Sequence, residues 1–207
     1  MTREIILYIH TTLNGIVTGD PAVDKEDFGR QWAKEGNLVG KASAALLPLF
    51  DRADTILMGH GTHVALSKRW SNVESSKDAQ EVAPRLAYQI NHAHKLVASR
   101  TPSQVDRAWG SYAPAELVDG NRLADQVSGL KRDQGGDIII FGSPTLSQEL
   151  INAGLVDEFY FVVHPVIMPV GDHLDSRIET RTDLRLESVT SLEEGGLLIA
   201  YTRAVEV

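Results

Sequence analysis

Short runs of apolar, β-prone residues alternate along this chain with segments of helical apolar spacing. The clearest unit spans residues 135–171. Residues 138–141 (IIIF) are uniformly apolar, too short for a helix and without polar alternation, which predicts a strand covered on both faces. Gly142, Ser143 and Pro144 follow at once. Glycine permits close approach or a positive φ, serine can cap a helix, and proline fits the first helical position. Leu146, Leu150 and Ile151 then form one helical stripe, and Gly154 is a natural stop. Residues 159–163 are again apolar and β-prone. The unit predicts strand, tight glycine turn, helix and strand, the helix opening beside the first strand's carboxyl end. Such a helix end offers free N–H groups to a phosphate, and it fits equally an ordinary crossover that binds nothing.

The same patterning organises the rest of the chain. Residues 5–9 (IILYI) predict the first strand, with a turn at Asn14-Gly15. Residues 18–28 hold four acids and read as a solvated loop, and Phe28 and Trp32 begin an amphipathic segment. A helix is expected from Gly40, kinked or divided at Pro48. Residues 54–59 (DTILMG) predict a second strand that ends in glycine, followed by His60, Gly61, Thr62 and His63. Two such junctions suggest a nucleotide cleft at the strands' carboxyl ends. Residues 82–90 predict a helix and residues 94–99 a third strand; Trp109 and Tyr112 suggest an edge strand, and residues 117–132 a helix. After a loop with two prolines at 164–171, residues 184–189 and 197–203 predict a hairpin turning at Glu193-Glu194-Gly195-Gly196. The whole predicts an α/β fold with a mostly parallel central sheet, an antiparallel C-terminal hairpin and helices on both faces.

Composition narrows the chemistry. The 207 residues suffice for one domain with a substantial core, residues 1–207 taken together. A net charge of −8 argues against nucleic acid, and it requires any anionic cofactor to be met by local donors. The absence of cysteine excludes disulfides, thiolate catalysis and cysteine-ligated zinc. His60 and His63 have no nearby carboxylate to complete a metal set, so no metal is expected. His92 and His94 at a strand entrance read as exposed. No apolar run reaches the ~20 residues that span a membrane, and the N-terminal MTREIILYI has no signal-peptide pattern, so a cytoplasmic protein is expected. Neither GxGxxG nor GxxxxGK[ST] occurs.

Four pieces together resemble the dihydrofolate reductase-like superfamily, in particular the RibD C-terminal (riboflavin-biosynthesis reductase) domain family. They are TLNGIV at 12–17, DTILMGHGT at 54–62, KLVASRT at 95–101, and residues 137–158, in the family's order along essentially the whole chain. The resemblance implies a dihydrofolate reductase-like three-layer fold that binds NADPH along the carboxyl edge of the sheet. It also implies hydride transfer to a small heterocycle such as an aminopyrimidine or pteridine, like 5-amino-6-(5-phosphoribosylamino)uracil reductase. By position, Gly59, His60 and Thr62 would hold adenosine-side phosphates, and Ser99, Arg100 and Thr101 the adenine ribose with its 2′-phosphate. Gly142, Ser143, Thr145 and Leu146 would cradle the pyrophosphate, with Asn14 and Gly15 beside the substrate.

Against the family's pattern, Asn14 replaces an aspartate and His60 an arginine, leaving a pH-sensitive donor in place of a permanent one. Ser143 stands at a glycine position, and Ser43 falls roughly where dihydrofolate reductase carries its helix-borne carboxylate. Asp20, Asp24 and Asp27 are loop candidates for a proton donor. The alternative is a non-catalytic nucleotide-binding or regulatory protein that retains the fold. A homodimer is expected, partly through the apolar residues 159–170.

Overall fold

The computed structural model describes residues 2–18, 38–192 and 195–204. Its centre is an eight-stranded sheet. The strands are β1 (Ile5–Thr12), β3 (Ala53–Gly59), β4 (His94–Ser99), β5 (Glu116–Asp119), β6 (Asp137–Phe141), β7 (Glu158–His164), β9 (Leu184–Ser191) and β10 (Leu197–Arg203), in spatial order β5-β4-β3-β6-β1-β7-β10-β9. From β5 to β7 every pairing is parallel, whereas β10 runs antiparallel to both β7 and β9. A separate two-stranded ribbon joins β2 (Ile16–Thr18) to β8 (Asp172–His173).

Strand alternation divides the core between two faces. Ile6, Tyr8, Ile56, Met58 and Ile139 face α1 (Leu38–Arg52) and α3 (Val82–His92), which contribute Leu46, Leu49, Phe50, Leu86 and Ile90. Ile5, Leu7, Ile9, Leu57, Ile138 and Ile140 face α4 (Leu123–Arg132) and α5 (Pro144–Asn152), which contribute Leu123, Val127, Leu146 and Leu150. Each of these aliphatic side chains is worth roughly 1.5–3 kcal/mol when fully buried, so each face holds its helices firmly. The remaining helix, α2 (His60–Trp70), follows β3 directly.

Two expectations change, one is narrowed and one element is new. Residues 117–132 are not one helix: Leu117 and Val118 pair with Val97 and Ala98 of β4, and the helix begins only at Leu123. Gly120 at the break lies so close to β4 that a Cβ there would meet the backbone carbon of Ser99 at 2.8 Å. Trp109 and Tyr112 form an isolated bridge rather than an edge strand. Pro48 stands inside a single helix, α1, so it does not divide it. The β2–β8 ribbon, joining residues more than 150 apart, had no signal in local patterning. The acidic loop with Asp20, Asp24 and Asp27, the Phe28–Trp32 segment, the side chain of Ser43 and the turn residues Glu193 and Glu194 lie outside the described residues.

Candidate functional site

β3 and β6 are parallel neighbours, with Leu57 opposite Ile140, and each runs into a helix through glycine. The N-termini of α2 and α5 therefore open on the same edge of the sheet. The first N–H groups of a helix have no intrahelical acceptor, so His60, Gly61, Thr62, Thr145 and Leu146 offer donors to that space. The space is a cavity of about 520 Å³. The β3–α2 junction lines it with Gly59, His60 and Thr62; the end of β4 with Ser99, Arg100 and Thr101; and the start of α5 with Ser143, Thr145 and Leu146. Residues proposed for phosphates and ribose, spread over almost ninety positions in sequence, are thus brought to one cleft. Thr18 and Asp172 of the ribbon, with Gly120 and Glu149, complete its wall, and the sequence reading missed all four. Arg100 does not stand free: its Nη2 donates to Glu149 Oε2 at 2.9 Å.

Ser143 lines that cavity, but its side chain does not cap α5. It sits at the N-cap of α5 with φ 56°, the left-handed region, and its hydroxyl makes no cap bond. Instead Oγ accepts the Gly59 N–H at 2.7 Å and donates to Thr62 Oγ1 at 2.8 Å. One buried hydroxyl therefore clamps the two glycine junctions together. Gly142 is not part of the cavity wall. It is buried with φ 62°, and its N–H donates to Tyr8 O at 3.0 Å, so its conformational freedom shapes the turn and its donor is not available to a phosphate.

Nor does the structure bring Asn14 or Gly15 to that cavity. Asn14 Nδ2 donates to Met168 O at 2.8 Å, and Met168 N donates back to Asn14 Oδ1 at 3.1 Å, a two-way amide clasp on the loop after β7. Thr12 Oγ1 donates to the same Oδ1 at 2.9 Å. Gly15, at φ 84°, makes the turn that this clasp requires. His60 and His63 also part company: His60 lines the cavity, whereas His63 is buried with its ring 5.5 Å from that of Trp109.

A second cluster occupies the carboxyl ends of β1 and β7. Burial raises the Tyr8 phenol above its ordinary range, and its hydroxyl shares a hydrogen bond with His10 Nε2 at 3.0 Å. His10 Nδ1 in turn shares a hydrogen bond with His164 Nε2 at 2.8 Å, so one imidazole links the phenol to the second ring. His164 is buried, and desolvation lowers its pKa to about 4. Sequence reasoning passed over this relay. Its one signal was a histidine closing each of two apolar strand runs, IILYIH and FVVH.

Comparison with known proteins sets this geometry in context. Residues 3–198 match the RibD C-terminal domain family. Over 204 residues the chain is 26% identical to the uncharacterised protein YyaP of Bacillus subtilis (strain 168), covering 96% of this chain and 94% of the relative. A putative riboflavin biosynthesis protein from Shewanella sp. PV-4 superposes with a TM-score of 0.65 at 16% identity, over 99% of this chain and 100% of that one. A diaminohydroxyphosphoribosylaminopyrimidine deaminase/5-amino-6-(5-phosphoribosylamino)uracil reductase from Thermotoga maritima superposes with a TM-score of 0.61 at 11% identity, over 98% of this chain and 57% of that one.

Proposed function

The chain belongs to the RibD C-terminal domain family, and from that premise we propose that it is an NADPH-dependent reductase acting on a small pyrimidine- or pteridine-like ring. The observation that supports this most directly is the convergence of two helix N-termini on one cavity at the carboxyl ends of parallel strands. Partial positive charge and unpaired N–H groups meet there, the arrangement suited to a pyrophosphate. Ser99, Thr101 and Arg100 stand on the β4 side of the same space, where hydroxyl and guanidinium groups suit a ribose and its phosphate. The residues present therefore fit a nicotinamide dinucleotide.

When bound, NADPH would supply the hydride. The chain's own part is to orient and to exclude water. Ser143 holds the two junctions at fixed separation, and the Asn14–Met168 clasp pins the loop after β7 against the β1–β2 turn. The reading includes a cytoplasmic location, where such a cofactor is available. It also includes a homodimer: residues 159–164 of the expected contact are taken up in β7 between β1 and β10, which leaves Ile167 and Val170 exposed at 69% and 60% and the exposed edge strand β9 as the surfaces that support it. A sedimentation mass near 22.7 kDa at micromolar concentration would refute the dimer.

The test of function is titration of the purified chain with NADPH, followed by NADPH oxidation assays against a panel of aminopyrimidines and pteridines. Binding with turnover of at least one ring supports the reductase. Binding without turnover of any ring identifies the non-catalytic nucleotide-binding alternative, and no binding removes both.

A further inference from the structure

The charge of the cavity is more balanced than a ligand rich in phosphate would require. Among the described residues that line it, Arg100 is the one permanent cation, whereas Glu149 and Asp172 are carboxylates. Arg100 reaches in from the end of β4 and Glu149 from α5, and they meet at 2.9 Å although 49 positions apart. Their side chains are 60% and 33% exposed, so the pair is hydrated and exchangeable rather than locked.

We propose that Glu149 sets the choice between phosphorylated and unphosphorylated nicotinamide dinucleotides, holding the preference for NADPH down by occupying Arg100. This rests on reading the cleft as a dinucleotide site. A phosphate monoester carries close to two negative charges near neutrality and is best met by the planar guanidinium fork. A 2′-phosphate that takes the Nη2 donor has to displace the Glu149 carboxylate, and one that uses the remaining guanidinium donors lies beside that carboxylate, a like-charge contact in either case. A ribose 2′-hydroxyl can instead donate to that carboxylate while the ion pair stays intact. An acidic side chain against the ribose hydroxyl is how dinucleotide folds of another architecture receive the unphosphorylated cofactor. Asp172, on the ribbon across the cavity, adds to the negative field without touching Arg100. Arg100 and Glu149 thus act as opposing halves of one selector.

The experiment is a fluorescence titration of wild type, Glu149→Gln, Glu149→Ala, Arg100→Gln and the Arg100→Gln/Glu149→Gln double variant with NADPH and with NADH. Circular dichroism checks that each is folded. Glu149→Gln keeps length and an acceptor while removing charge, and should tighten NADPH about tenfold while weakening NADH slightly, its ribose hydroxyl then donating to a neutral amide oxygen. Glu149→Ala should move NADPH in the same direction. In the Arg100→Gln background the same glutamine should give no gain, because no guanidinium remains to be released. If wild type binds both dinucleotides and Glu149→Gln moves them equally or not at all, Glu149 is not the selector. If wild type binds neither, the dinucleotide reading of the cleft falls, and the selector with it.

Discussion

The two edges of the parallel sheet are built from different chemistry. At the amino edge, charged side chains tie neighbouring strands together. Arg3 pairs with Asp54 and donates to Thr55 Oγ1, Arg52 joins Asp137 and Glu158, and Lys131 Nζ lies 2.5 Å from Asp157 Oδ1. The carboxylates also accept backbone hydrogens, Asp137 from Glu4 N and Asp157 from Ile5 N, both at 2.9 Å. At the carboxyl edge stand glycine, hydroxyl and imidazole groups, with two helix N-termini facing open space. Charged groups at the first edge are joined strand to strand, whereas at the second the side chains that are bonded, such as Ser143 and Arg100, stand around a cavity onto which two helix N-termini open. The contrast places the strand-to-strand ion pairs at one edge and, under the proposed function, recognition at the other.

The contrast breaks most directly at Asp157, which is 16% exposed and serves Ile5 N, Lys131 and, at 3.5 Å, Arg203. Asp157→Ala leaves a part-buried ammonium and a backbone donor without partners and should cost about 3 kcal/mol of unfolding free energy. Dinucleotide affinity, measured in parallel with chemical denaturation, should not change. A loss of binding as large as the loss of stability would show that the edges are not separable.

The next effect lies at the other edge and is read by pH. His164 has its pKa depressed by burial to about 4 from an ordinary 6.5. As pH falls below 6.5 the unfolded chain takes up the proton while the folded one resists it. The stability present above 6.5 is therefore lost progressively down to about 4. The full shift corresponds to at most about 3 kcal/mol, and about 2 is expected because His10 remains a partner. Denaturation midpoints across that range should flatten in His164→Gln; an equally steep profile in the variant would exonerate this residue.

Ser143 sharpens the comparison, since it should couple stability to binding. Ser143→Ala leaves the Gly59 N–H without its acceptor, costing roughly 1–2 kcal/mol and about tenfold in dinucleotide affinity. Ser143→Gly loses the same bridge but relieves the left-handed backbone, so it should unfold later than the alanine variant. The reverse order in thermal melts would contradict the clamp. The smallest effect belongs to Asn14→Asp. An ionised carboxylate cannot donate to Met168 O, but the site is exposed, so the loss should stay below about 1 kcal/mol. Dinucleotide binding should be unaffected, and a marked change in substrate turnover would show that Asn14 acts on the substrate.

Much of this was legible beforehand, and the reasons are local. Runs such as IIIF and DTILMG announce strands because covered strands need apolar residues on both faces, and Gly59 and Gly142 mark their ends. The same logic failed at residues 117–132, where a helix-like apolar pattern concealed a short strand at Leu117 and Val118. Two apolar residues between acids carry too little periodicity to distinguish the two, and the hydrogen bonds that β4 offers decided the outcome. The cleft residues at Gly59, Arg100 and Ser143 were named from motif order, but their partners were not.

By itself the sequence determined the alternation of strands and helices, the mostly parallel sheet with its antiparallel end, and the two glycine junctions where helices open. Those features depend on side-chain period and backbone freedom within a few residues of each position. Tertiary structure alone decided what each polar group holds. The Ser143 hydroxyl reaches Gly59 and Thr62 over more than 80 positions, Asn14 grips Met168 over 154, and Arg100 meets Glu149 over 49. Hydrogen bonds and ion pairs act over about 3 Å, and no spacing rule within the chain carries that distance between elements that only the folded sheet brings together.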